Sequence, residues 1–250
     1  MSDLMTASIR DNLWHKMRKD LGTFIPEVGE NELLMCCACG RFLQQEFFDL
    51  EHLIPQQSLK QDPEIVQNNP ETPKNVRSGN LLLCKKSLIY KGRKVYNNGC
   101  NSWKGRFYDK PITDLVSGKA MQTGSCSSQH IIAGLSLAYL AMVAEFGYAV
   151  VLMQSGALMR RQFFSPHKYH RQLPARYQML LSGALPGPES RMWAQPFSFT
   201  FSESGCCFVG ARNFAVNLPI SRDPREPFAR HLRIVPKKYK LRPDFSTVFD

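Results

Sequence analysis

Acid is the scarce charge in this chain: Asp+Glu 21 against Lys+Arg 32 over 250 residues leaves a formal net charge of +11. That balance favours a polyanionic partner, a nucleic acid or an anionic membrane surface. No internal repeat and no low-complexity tract occurs, and charged residues stand at an ordinary 21% beside 43% hydrophobic. A disordered chain, a collagen-like repeat and a coiled-coil rod are thereby excluded. The opening MSDLMTASIRDNLWHKMRKDL has no continuous apolar stretch, so no secretory leader is expected and a cytoplasmic, reducing setting is.

Long apolar runs are also few, with one to account for. From Ile131 to Met153, IIAGLSLAYLAMVAEFGYAVVLM carries one charge, Glu145, and has the length of a bilayer span. A buried glutamate near the centre of such a span costs about 2.5–3.5 kcal/mol. A core helix ending at Phe146, stopped by Gly147 in a left-handed cap and followed by a strand Tyr148–Met153, explains the same residues without a membrane.

Cysteine is plentiful and unevenly placed: Cys36, Cys37 and Cys39 crowd together, Cys84, Cys100 and Cys126 follow singly, and Cys206-Cys207 closes the set. In a long chain rich in apolar residues, clustered cysteines more often hold metal than form disulfides. Cys36-x2-Cys39 is half of a zinc knuckle, because two intervening residues let both sulfurs reach one tetrahedral ion. Cys84 and Cys100 are the candidates for the other half, with Cys37 spare.

Around these lie readable elements. Ile9, Leu13, Met17 and Leu21 mark an amphipathic helix within residues 1–32. Gln45–Pro55 reads as a strand, Asn80–Lys86 as a second, and NSWKGRFYDK from Asn101 as a helix with Asn or Ser near its cap. Residues 113–128 read as a linker, and 129–250 as a mixed α/β domain ending in strands FSFTF, CCFVG and FAVNLPI.

Between the cysteines stand Glu51-His52-Leu53-Ile54-Pro55, then Gly79-Asn80-Leu81-Leu82-Leu83-Cys84, then Cys100-Asn101-Ser102-Trp103-Lys104-Gly105. In order, CxxC, EHLIPQ, GNLLLC and CNxxKG resemble the HNH endonuclease family, in the zinc-braced branch where Asn replaces the last His. The resemblance covers about residues 33–110 and sets the domain at 33–112. It implies an α+β chain: a ββα-metal nuclease domain with a zinc knuckle, then the mixed C-terminal domain. It further implies metal-dependent hydrolysis of DNA, with RNA the alternative polymer. His52 would be the general base and Asn80 would orient it. Glu51 and Asn101 would hold Mg²⁺ or Mn²⁺, Lys104 would contact phosphate, and Cys36, Cys39, Cys84 and Cys100 would hold structural Zn²⁺. One catalytic ion nicks one strand at a time, and a double-strand break would then take a homodimer or two events.

Two departures from the family pattern stand out. Glu occupies position 51, where Asp is frequent. Cys84 and Cys100, commonly two residues apart, are separated by KKSLIYKGRKVYNNG, which either loops out of an intact knuckle or marks the absence of zinc. That insertion carries Lys85, Lys86, Lys91, Arg93 and Lys94 with no acid. With Arg106 these residues either track a phosphate backbone or form a solvated basic loop. His167 and His170 have a loose metal-like spacing in an exposed polar stretch. Arg222 to Arg242 is a second basic segment, extended by its prolines. The alternative to a nuclease is a zinc-braced nucleic-acid-binding module that does not cleave.

Overall fold

A computed structural model describes residues 2–59, 80–90, 93–96, 98–124, 126–164, 179–181, 196–201 and 206–219. Helix and small antiparallel sheets are mixed in an α+β arrangement. Helix α1 spans Ser2–Gly22. Its buried stripe is Trp14, Met17 and Leu21, an i, i+3, i+7 line on one helical face. Ile9, expected on that face, is 38% exposed. The face turns toward Trp14 because its ring meets Phe48 at 5.6 Å, and an indole buries more apolar area than isoleucine.

A one-turn helix, α2 (Glu27–Glu30), precedes a small hairpin of β1 (Leu34–Met35) and β2 (Phe42–Leu43). The expected strand 45–55 is shorter: a 3₁₀ turn over Gln45–Phe47 leads into β3 (Phe48–His52). After α3 (Gln56–Leu59), β4 (Asn80–Cys84) pairs antiparallel with β3, from Phe48↔Cys84 to His52↔Asn80. A second hairpin, β5 (Leu88–Tyr90) with β6 (Arg93–Tyr96), is followed by α4 (Cys100–Phe107), which packs on β4.

Residues 113–128 contain helix rather than an open connection. Helix α5 (Asp109–Val116) buries Ile112, Leu115 and Val116, an i, i+3, i+4 set too short to stand out as a period. It is followed by α6 (Lys119–Gln122). Next, α7 (Ser128–Phe146) is long and apolar enough to cross a membrane by length and composition. In this fold its residues 133–143 are buried by protein, packed among α5, β4, α8 (Tyr148–Leu152) and α9 (Gln154–Phe164).

Gly147 ends α7 at φ 74° and ψ −154°, a region essentially reserved for glycine. The residues after it are helical, where a strand Tyr148–Met153 was expected. The Asp20 carboxylate of α1 accepts the Tyr148 N–H at 2.6 Å, and this remote cap starts α8 against the β preference of Val150 and Val151.

The three C-terminal strands fall where the sequence places them. Strands β7 (Met179–Leu181), β8 (Phe197–Phe201), β9 (Cys206–Ala211) and β10 (Phe214–Pro219) form one sheet in the order β7-β10-β9-β8. Phe146 of α7 meets Phe199 and Phe201 edge-on at 5.0 and 5.6 Å. Asn213, in the β9–β10 turn, donates to the Val116 carbonyl at 3.2 Å, which fastens the sheet to α5.

Candidate functional site

The β1–β2 turn shapes the first part of the site. Cys36 N–H bonds the Arg41 carbonyl and Gly40 N–H bonds the Cys36 carbonyl, both at 2.8 Å. Gly40 takes φ 78° to close the turn. Cys36 and Cys39 therefore present their sulfurs together, and Cys100 meets them from the head of α4. The three ligand atoms lie within 4.8 Å of one another and all three residues are buried. The Cys36 and Cys100 sulfurs are 3.8 Å apart. Cys84, at the end of β4, stands outside this close group and is reached through Arg41, whose Nη2 lies 3.2 Å from its sulfur. The buried Cys36, Cys39 and Cys100 group could hold a metal ion such as zinc: tetrahedral thiolate coordination with bonds of about 2.3 Å puts sulfurs about 3.8 Å apart.

The long spacing between Cys84 and Cys100 is absorbed by the β5–β6 hairpin, which loops out and returns Cys100 beside Cys84. Gly99 makes the return possible: a Cβ there would sit 2.0 Å from the Cys84 carbonyl oxygen. The cap of α4 is this glycine and not Asn101.

Electrostatics within the cluster are uneven. Burial opposes ionisation of Cys39, but side-chain hydrogen bonds from Cys100, Cys36 and Cys84 and the charge of Arg41 outweigh it and hold Cys39 well below the usual thiol range. Burial pushes Cys36 and Cys100 well up. The spare thiol, Cys37, is pushed to about 12, chiefly by burial.

Arg41 is the member of the site that sequence reading missed. Its Nε donates to Cys39 Sγ at 3.4 Å and its Nη2 to Cys84 Sγ at 3.2 Å. The same guanidinium donates to the carbonyls of Lys86 and Ser87, each at 3.0 Å. A lone arginine two residues after a cysteine is too common a pattern to have marked it.

A second cluster lies across β3. Ladder pairing sets Asn80 directly opposite His52, so the expected base and its expected orienting residue share one end of the hairpin. Asn101 and Lys104, spaced i, i+3 on α4, face β3 together. Asn101 Nδ2 donates to the Leu50 carbonyl at 3.1 Å, and Lys104 Nζ to the His52 carbonyl at 3.2 Å. These two bonds lay the helix along the strand that carries His52.

Lys104 does not stand where a phosphate would reach it. It is 1% exposed, and its ammonium lies 2.7 Å from both Glu51 and Asp109. Glu51 is likewise buried and faces that ammonium. Burial pushes its carboxyl up, with Lys104 pulling the other way. Among the described residues Glu51 and Asn101 do not assemble an oxygen cage for Mg²⁺ or Mn²⁺. The carboxylate is engaged by lysine and the amide turns its Nδ2 to a backbone carbonyl.

The basic residues are spread out. Lys85 is exposed and 3.4 Å from Asp49, Lys86 lies 4.3 Å from the Phe47 ring centroid, and Arg106 is exposed beside Phe107. Arg93 and Lys94 pair in register with Tyr90 and Ile89 on the β5–β6 hairpin. Lys91, His167, His170 and the segment 222–242 lie outside the described residues.

Two tyrosines from the second half of the chain brace the knuckle. Tyr139 of α7 donates to the Cys37 carbonyl at 2.7 Å, and Tyr148 of α8 donates to the Met35 carbonyl. Comparison with protein-family models, with curated proteins and with solved structures finds no match to this chain.

Proposed function

We propose that this chain is a phosphodiester hydrolase of the HNH kind, acting on DNA, with β3, β4 and α4 as a ββα-metal unit braced by zinc on Cys36, Cys39, Cys84 and Cys100. One observation carries the reading: His52 and Asn80, far apart in sequence, are ladder partners at one end of the hairpin onto which α4 docks. The Cys36, Cys39 and Cys100 group joins the knuckle to the head of α4, Arg41 reaches from it to Cys84 at the end of β4, and zinc there would supply a structural cross-link.

In this reading a ring nitrogen of His52 accepts a proton from the attacking water, which an imidazole does near neutral pH. The water oxygen bonds to phosphorus, the opposite P–O bond breaks, and the leaving oxygen takes up a proton. Asn80 steadies the strand end that carries His52. Lys104 acts from beneath, holding the His52 carbonyl and Glu51 in place. Among the described residues, Glu51 and Asn101 form no assembled ligand pair for catalytic Mg²⁺ or Mn²⁺.

The second reading is a zinc-braced nucleic-acid-binding module without cleavage. The pairing of Glu51 with a buried lysine favours it, since that carboxylate then has no vacancy for a cation.

Nicking of supercoiled plasmid decides between them. With Mg²⁺ or Mn²⁺ present, wild type nicks, while His52→Ala of equal zinc content and equal circular dichroism does not. Binding of the plasmid with no nicking under any divalent ion would reject the nuclease and leave the binding module.

A further inference from the structure

The zinc reading leaves a charge unaccounted for. Four thiolates around a dication carry a net charge of about −2, and these sulfurs are buried. Buried charge of that kind is tolerated where donors or opposite charge face it. Arg41 does both. One planar guanidinium reaches Cys39 of the knuckle and Cys84 of β4, at 3.4 and 3.2 Å. It also reaches the carbonyls of Lys86 and Ser87, the second and third residues of the insertion, at 3.0 Å each. The main chain of the same residue closes the knuckle by accepting the Cys36 N–H. Four acceptors from two segments around one fork is a task that the point charge of a lysine does not perform.

We propose that Arg41 is the positioning residue of the metal site. Its N–H groups neutralise and orient two of the sulfur ligands, and the same fork latches the basic β5–β6 hairpin to the cluster, so that metal occupancy and hairpin docking are coupled. The coupling is reciprocal: whatever metal does to fix the hairpin, fixing the hairpin does to retain metal. This gives the insertion a role that its length alone does not suggest. It is held in a fixed pose against the knuckle when the cluster is loaded, and that pose sets where its basic residues stand. The inference rests on the zinc reading above.

The test uses the full chain loaded with zinc, as wild type, Arg41→Ala and Arg41→Lys. Zinc transfer to a chromogenic chelator is expected to be about 10–100-fold faster in Arg41→Ala, the usual scale for loss of an outer partner of a metal ligand. Arg41→Lys, which keeps the charge without the fork, is expected to stay closer to Arg41→Ala than to wild type, and it serves alone if the alanine variant does not fold. In cobalt-substituted protein the sulfur-to-metal charge-transfer band is expected to shift once the N–H···S bonds are gone, which a merely structural residue would not cause. Amide exchange across 88–90 and 93–96 is expected to quicken both in zinc-loaded Arg41→Ala and in metal-free wild type. Zinc bound by every protein with release rate, band and exchange unchanged would overturn the role of Arg41 and leave the zinc reading standing. Wild type that takes up neither zinc nor cobalt would overturn both.

Discussion

Lys104 shows how burial reassigns a residue whose type and position suggest something else. A lysine on a helix three residues after Asn101 suits a phosphate contact, yet its ammonium is enclosed by Glu51, Asp109 and the His52 carbonyl. Removing one partner of a buried ion pair strands the other, at a cost of about 3–5 kcal/mol. Lys104→Met is therefore expected to lower the urea midpoint sharply, and Lys104→Met with Glu51→Gln to recover part of the loss. An unchanged midpoint in the single variant would mean the pair is not formed. The pH dependence has a definite sign. Burial opposes the Lys104 charge, but Glu51 and Asp109 outweigh it and raise its pKa above 10.5. Its contribution is thus full below the ordinary lysine value and is lost as pH climbs through the raised one. The stability gap between wild type and Lys104→Met should close at strongly alkaline pH. Sequence shows that a lysine is present, but whether it sees solvent depends on what α4 packs against.

Elements here begin and end where distant residues allow. Helix α4 can start beside Cys84 because Gly99 has no side chain, and a Cβ there would meet main-chain oxygen at 2.0 Å. Backbone cannot yield as a flexible side chain does, so Gly99→Ala is expected to cost about 1–3 kcal/mol and to speed zinc loss. Equal melting and equal zinc retention would show that the approach is looser. Helix α8 starts on the Asp20 carboxylate. Burial raises the Asp20 pKa above 3.8, with the Tyr148 N–H bond and Lys16 acting against the rise. A raised carboxyl contributes most below its unfolded value and loses that contribution as pH rises through the folded one. Asn at this position still accepts the N–H without the charge. Asp20→Asn should therefore gain on wild type as pH rises above the ordinary carboxylate range, as read from urea midpoints across a pH series. The strand expected at Tyr148–Met153 was a fair reading of Val150 and Val151, overturned by a cap that no window around those residues contains. The C-terminal strands were legible for the opposite reason: FSFTF and FAVNLP are short runs bounded by breakers, and each pairs with β9, the strand next to it in sequence.

Across the molecule, the second half of the chain supports the first. Tyr139 and Tyr148 reach the backbone of the cysteine turn from α7 and α8, and α7 also touches β4. Tyr139→Phe removes the donor and leaves a buried carbonyl unsatisfied, at about 1–3 kcal/mol. Zinc release should quicken with it, as the turn that aligns Cys36 and Cys39 loses its brace. A loss of stability with no change in zinc release would separate the helices from the metal site. The apolar run from Ile131 is explained by the same packing: it fills the space between the knuckle side and the C-terminal sheet.

Composition and spacing alone carried the mixed helix-and-sheet character, the hairpin strands, the helix after Cys100 and the gathering of Cys36 and Cys39 with Cys100. Each rests on local signals, namely a period, a breaker or a ligand spacing, that survive in one dimension. The fork of Arg41, the burial of Lys104 and Glu51, the cap on α8 and the bracing tyrosines depend on residues that meet only after the chain has folded. Their energies come from dehydration and from hydrogen bonds between distant segments, and neither quantity exists for a residue until its neighbours are in place.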